Sequence, residues 1–384
     1  MFSPKMASIR PFYVMQLLER ARALESEGKD IVHMEIGEPD FVTPPCVVEA
    51  AEKFIRTGDV KYTPSAGLPA LREAIAGFYR NRYGVTIATE RVFVTPGASG
   101  AFLLALGALL EAGDQVLLAD PGYPCYANFV RLFSGDPVGI PVDIAADFQM
   151  HPDFVDQYWA PRTRGVVLAS PSNPTGTQIR ADLLGELIRR VLARGGCFIS
   201  DEIYHGLEYG VRAHSALEFS DQVLVINSFS KYFGMTGWRL GWLIAPDAWV
   251  STLEKLAQNI FISAPAHSQV AAVAAFGSAN IDELESRRRE FQKRRDYLLS
   301  ALLDLGFEVP VRPEGAFYIY ADSTAFAENS FKLAWNILEQ AGVAVTPGRD
   351  FGENAAERYL RFSYTTSLAR LVVGIDRLSN FLVS

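Results

Sequence analysis

From about residue 91 the chain repeats one pattern, in which short apolar runs at residues 92–95, 115–119, 165–169, 197–200 and 223–227 alternate with helix-forming segments. Runs this uniformly apolar leave no polar face for water, so each must be covered on both sides. Strands covered on both faces and spaced by helices build a mainly parallel sheet between helical layers. The fold class is therefore expected to be α/β. Ligands of such sheets sit beyond the carboxyl ends of the strands, so chemistry is expected there.

The flanking regions read differently. Residues 11–28 show helical apolar spacing closed by Gly28, and a short strand follows at 31–36. Residues 37–69 are rich in Pro and Gly and mix loops with a short helix at 47–57. Beyond Pro246 a long helical stretch runs towards Leu305, with breaks expected near Pro265 and at 278–281. The remainder reads as a small α+β unit, with strands at 307–311, 315–320, 343–346 and 359–363 and a helix at 331–342. A length of 384 residues exceeds a usual single core. The expected division is 1–45 as an N-terminal arm and part of a small domain, 46–280 as the large domain and 281–384 as the C-terminal small domain.

Charge and cysteine usage remove several functional classes. With 36 Lys plus Arg against 44 Asp plus Glu, the net charge of -8 disfavours a nucleic-acid footprint. The cluster Arg287, Arg288, Arg289, Lys293, Arg294 and Arg295 alternates with Glu283, Glu285 and Glu290 and is expected to be a solvated helix face. Cys46, Cys125 and Cys197 are too widely spaced for a disulfide framework or a zinc site, and the five histidines show no ligand spacing, so no metal is expected. No apolar run suits a secretory signal or a membrane span, which makes a cytoplasmic location the expectation.

Lys231 follows the apolar run V-L-V-I-N and is flanked by Ser230 and Tyr232, a setting that predicts burial near a strand end. A desolvated lysine has a lowered pKa and can attack an aldehyde. Ser228, Ser230 and Arg239 stand within a few residues and could together hold a phosphate. Gly97, Ala98 and Ser99 open an apolar helix, whose first N–H groups can also face an anion. A serine-hydrolase reading of G-A-S-G-A fails because the second glycine of G-x-S-x-G is one position early. Asp201, at the end of a strand, reads from its own position as a helix cap, and Asn173 as a turn initiator.

The lysine segment S-F-S-K-Y-F-G-M-T-G-W-R-L-G from Ser228 resembles the lysine motif of fold-type I pyridoxal-phosphate enzymes, specifically the class I and II aminotransferases. Further blocks resemble the same family: G-E-P-D-F from Gly37, Y-T-P-S-A-G-L-P-A-L-R from Tyr62, V-T-P-G-A-S from Val94, and P-G-Y-P-C-Y from Pro121. They continue with S-P-S-N-P-T-G from Ser170, S-D-E-I-Y from Ser200, G-A-F-Y from Gly315 and R-F-S-Y from Arg361, so the resemblance covers nearly the whole chain.

That resemblance implies a large cofactor domain, a smaller α+β domain and pyridoxal 5'-phosphate held by Lys231 as an internal aldimine. It implies that Asp201 pairs with the ring nitrogen, that Tyr204 and Asn173 donate to the ring oxygen, and that Tyr123 stacks on the ring. Ala98, Ser99, Ser228 and Arg239 would hold the phosphate, joined by Tyr62 of the second subunit of a homodimer. Gly37, Asn173 and Arg361 would bind substrate, with Arg361 clamping its carboxylate. The implied reaction is ping-pong transfer of an amino group from an L-amino acid to a 2-oxo acid. A carbon–sulfur lyase or an aminocyclopropane carboxylate synthase shares these cofactor residues, and a non-catalytic ligand sensor shares the fold. Tyr13, Tyr62 and Tyr126 are candidate pocket walls that would tolerate neutral or aromatic side chains.

Overall fold

The structure, a computed structural model, describes residues 3–9 and 11–383; Met1, Phe2 and Arg10 of the expected N-terminal arm lie outside the described residues. A first helix, Tyr13–Ser26, leads to the two-residue strand β1, Val32–His33. Seven strands then form the main sheet: β2 (Val92–Thr95), β3 (Gln115–Asp120), β4 (Asp136–Pro141), β5 (Thr163–Ala169), β6 (Cys197–Asp201), β7 (Leu224–Ser228) and β8 (Gly241–Ile244). Their order is β2-β8-β7-β6-β5-β3-β4. All neighbours pair in parallel except β8, which runs against both β2 and β7.

Alternate residues of the central strands feed separate apolar cores, as the pleat requires. Phe198, Val225 and Val166 join one cluster, while Ile199, Ile226 and Val167 join another that includes Phe102 and Leu104 of the helix Gly97–Leu109. Two strands escaped the sequence reading for physical reasons. The first, β4, carries Pro137 and Pro141 and survives because it is an edge strand, where a missing N–H is tolerated. The second, β8, follows a left-handed Arg239 and opens on a glycine.

The C-terminal part contains the antiparallel sheet β11-β12-β9, from Thr346–Pro347, Tyr359–Ser363 and Tyr318–Asp322, and the parallel pair of β1 with β10, Val343–Ala344. The strand expected at 307–311 is absent, since Glu308 makes only an isolated bridge to Asp322. The helical stretch breaks as expected before Ala266, but its second break falls just ahead of residue 278, and Ser278–Leu305 is one unbroken helix. Its buried Leu284, Phe291 and Leu298 recur every seven residues, which keeps one stripe against the core.

The solvated-face expectation for the arginine cluster on that helix is corrected. Arg294 and Arg295 are buried: Arg294 pairs with Asp40 at 2.8 Å, and Arg295 donates to the Pro313 carbonyl at 2.6 Å. These arginines fasten the long helix to the loop after β1 and to the segment before β9. Because Ile226 sits fully buried in a central strand, Ile226→Ala is expected to cost about 2–5 kcal/mol in equilibrium denaturation. A loss below about 1 kcal/mol would contradict a close-packed sheet core.

Candidate active site

The parallel strands deliver their functional side chains to one end of the sheet. Asp201 is the last residue of β6, Ser228 the last of β7, and Asn173 lies just past β5 in S-P-S-N-P-T-G, with cis peptides before Pro171 and Pro174. These residues open on a cavity of about 260 Å³ that Arg361 of β12 and Gly37 reach from the other side. All the catalytic, cofactor and substrate candidates named in the block motifs line this cavity except Tyr62, which is 80% exposed and outside it.

Lys231 donates from Nζ to the Gly37 carbonyl at 2.7 Å and lies 5.6 Å from the Phe317 ring centre. Burial is the main reason its pKa falls to about 8, with Arg361 and Arg239 adding to the fall and Glu38 and Asp201 opposing it. The same cause acts on Asp201 in the opposite sense. Desolvation lifts its carboxyl to about 6, against the stabilising bonds from Tyr126 and from the Ile203 N–H at 3.1 Å. Tyr126 is therefore not a free pocket wall: its hydroxyl is committed to Asp201.

Arg361 is buried and held by three segments. Its Nη1 donates to Asn173 Oδ1 at 2.9 Å, and its Nη2 donates to the Glu35 carbonyl and to Thr346 Oγ1 at 3.2 Å. Tyr318 and Phe351 place their ring centres 4.3 and 4.8 Å from the guanidinium carbon. Its Nε is buried with no hydrogen-bond partner among the described residues. With Asn173 Oδ1 turned to the arginine, the amide NH2 of Asn173 is left to donate elsewhere. Tyr204 shares a 2.9 Å hydrogen bond with Tyr318, and burial holds its phenol well above the usual range.

An anion cradle lies at the start of the helix Gly97–Leu109. Gly97 has φ +69°, and a Cβ there would lie 2.8 Å from Arg239 Nη2. At Gly241 a Cβ would lie 2.7 Å from the carbonyl carbon of Gly97 and 2.8 Å from the nitrogen of Ala98. Backbone N–H groups, the Ser228 and Ser230 hydroxyls (2.9 Å apart) and a guanidinium thus meet where only glycine permits the approach. Tyr123 borders the cavity edge-on to Phe12 and Tyr126.

Several participants were not singled out in the sequence. Tyr318 sits inside the quoted G-A-F-Y block and makes Gly37 obligatory, since a Cβ on Gly37 would lie 1.8 Å from the Tyr318 hydroxyl. Phe12, Met15 and Phe351 line the cavity with no local motif to announce them. Tyr13, a candidate wall, instead packs its ring on Phe331 at 5.3 Å and is absent from the lining.

A low-pKa amine, a buried acid and an anion cradle around one cavity fit a phosphorylated aromatic aldehyde, whose phosphate, ring nitrogen and carbonyl each find a complementary group. Amine chemistry carried out through such a cofactor is the class that the fold and site define together. The family model for aminotransferase class I and II matches residues 29–378. The (5-formylfuran-3-yl)methyl phosphate transaminase of Methanocaldococcus jannaschii is 37% identical, with both chains covered in full. The valine–pyruvate aminotransferase of Mycobacterium tuberculosis is 36% identical over 98% of each chain. A crystal structure of an aminotransferase from Mycobacterium tuberculosis superposes with a TM-score of 0.96 at 35% identity, covering 100% of this chain and 99% of that one. The chain belongs to the class I and II aminotransferases and is a pyridoxal-phosphate-dependent transaminase.

Gly241→Ala would drive its methyl group into the backbone of Gly97 and Ala98. It is expected to weaken pyridoxal phosphate binding by roughly tenfold or more, the cost of one or more lost charge-assisted bonds. Equilibrium dialysis of cofactor against the variant checks this, and unchanged affinity would remove the cradle from consideration.

Proposed function

We propose that Lys231 carries the cofactor and is also the group that moves the substrate proton. The observation behind this reading is the half-buried lysine of lowered pKa, bonded to the Gly37 carbonyl and sharing one cavity with a buried carboxylate and the Arg361 fork. Bound pyridoxal phosphate would supply an electron sink for negative charge developing at the substrate α-carbon. Asp201, held by Tyr126, would keep a proton on the ring nitrogen and so sustain that sink. Tyr204 and the free NH2 of Asn173 would donate to the ring oxygen, Tyr123 would cover the ring face, and Ala98, Ser99, Ser228 and Arg239 would receive the phosphate.

Arg361 would bind the α-carboxylate of any amino or 2-oxo acid, because its planar fork matches a carboxylate and Gly37 offers its backbone beside it. Fixed there, the α-hydrogen would be presented to Lys231 Nζ, which would take it and return it two bonds away, across the substrate nitrogen at the former aldehyde carbon. The Arg361 to Asn173 bond joins the proposed large domain, 46–280, to the proposed small domain, 281–384 with part of 1–45. Substrate binding at that bond would therefore sense both domains. The exposed Tyr62 would complete the phosphate site of a second subunit in a homodimer, and the cytoplasm is the proposed location.

The test is visible absorbance of the purified protein with and without amino acids. The cofactor's lysine-bound band is expected to bleach with a productive amino acid and return with a 2-oxo acid, while Lys231→Ala loses transfer by roughly 10²–10⁴-fold or more. Since the neutral amine is the reactive form, cofactor capture by stripped protein is expected to rise with pH through about 8. A rise that continues towards the ordinary lysine value of 10.5 would mean that Lys231 is not desolvated.

A further inference from the structure

The charges of the cavity bear on substrate class, on condition that Arg361, Arg239 and Lys231 act as read above. Among the described lining residues these three are the only cations. Under that reading the α-carboxylate, the phosphate and the reacting carbonyl occupy them, and this chain's own lining offers none for a second carboxylate on the substrate. A carboxylate taken out of water without a partner is strongly disfavoured.

The wall beside Arg361 is apolar. Phe351 lies 4.8 Å from the guanidinium, and Ile36 follows the residue whose carbonyl accepts from Arg361. Phe12, Val14 and Met15 complete the wall from the start of the first helix. They are brought there by Asp350, whose two oxygens accept the N–H groups of Tyr13 at 2.8 Å and Val14 at 3.3 Å. This helix has no cap from its own Phe12, so a carboxylate distant in sequence closes its N-terminus. Asp350 is adjacent to Phe351, and one residue thereby ties both halves of the wall together. The remaining acid, Glu35, is engaged through Oε1 by His33 at 2.7 Å, while its Oε2 is buried without a hydrogen-bond partner among the described residues.

We propose that Phe12, Val14, Met15, Ile36 and Phe351 form the side-chain subsite, that it selects amino acids with bulky uncharged side chains over dicarboxylic ones, and that Asp350 is the positioning residue that assembles it. The test uses the holoenzyme and unreactive carboxylates, titrated by calorimetry and by the shift of the cofactor's visible band. The probes are 4-methylpentanoate, glutarate, 5-aminopentanoate and acetate. 4-Methylpentanoate is expected to bind roughly tenfold or more tighter than glutarate, and tighter than 5-aminopentanoate. Equal or tighter binding of glutarate overturns the inference, and so does preference for 5-aminopentanoate, which would assign the subsite to Glu35 and a cationic group.

Met15 is 52% exposed, so Met15→Arg can enter without disturbing the core. It is expected to shift the ratio towards glutarate by roughly tenfold. Asp350→Ala is expected to weaken 4-methylpentanoate by roughly tenfold while acetate stays within about twofold, since acetate has no side chain to seat. An equal fall for both would reduce Asp350 to a structural residue and overturn its assigned role. Arg361→Lys is expected to weaken all of the carboxylates. If it leaves acetate binding intact, the reading of Arg361 fails and the inference falls with it, whereas normal acetate loss with a glutarate preference refutes the subsite alone.

Discussion

Much of the site hangs on how a buried guanidinium is satisfied. Arg361 carries a full positive charge in a place that water does not reach freely, which is tolerable only because acceptors converge on it. Those acceptors come from three separate stretches: Asn173 in the loop after β5, Glu35 in the segment after β1 and Thr346 at the start of β11. Two aromatic rings complete the enclosure. Fixing the arginine therefore fixes the relative placement of the parallel sheet, the N-terminal strand and the C-terminal sheet. A carboxylate that binds here meets a fork already oriented, so little freedom is lost at the moment of binding.

One physical cause, desolvation, dominates the shifts of both Lys231 and Asp201. It lowers Lys231 and raises Asp201, bringing an amine and an acid towards neutrality from opposite directions. A surface lysine would be almost wholly protonated at neutral pH and useless as a nucleophile or base. The bond from Tyr126 then opposes that rise at Asp201, as the proposed role of a counter-charge to the cofactor ring would require. Burial tunes the lysine, and a single phenol tempers what burial does to its partner.

The sheet was legible because burial on both faces leaves a plain mark, and 92–95 and 359–363 match observed strands end to end. The setting of Lys231 was read from its neighbours, whereas Arg361 was named only through the resemblance of R-F-S-Y to a family block; both line the one cavity. What failed depended on contacts between distant residues. Nothing local to Tyr126 says that its hydroxyl meets Asp201, 75 positions away. Asp350 and Tyr13 are 337 positions apart, and no pattern in either segment betrays their bond. The arginines of the long helix alternate with glutamates as a solvated face would, yet two are buried because an acceptor from another segment comes to each. Edge strand β4 was hidden by prolines whose cost depends on a position in the sheet that only the fold defines.

The proposed chemistry and the proposed selectivity draw on different stretches of this chain. The groups at the reacting end come from strand termini and turns between residues 97 and 241, where backbone approach is so close that glycines at 97 and 241 cannot carry a side chain. The apolar wall comes from Phe12, Val14, Met15 and Phe351, with Ile36 between them, and is joined by a carboxylate whose two oxygens accept backbone N–H groups of the first helix. A backbone contact holds whatever side chains those positions carry. The wall can then change its shape and charge while the helix keeps its place, and the lysine, the aspartate and the arginine fork keep theirs. A scaffold arranged in this way would let one mechanism serve many side chains, provided that the wall keeps its two contacts with the proposed reacting groups, Phe351 with Arg361 and Phe12 with Tyr123.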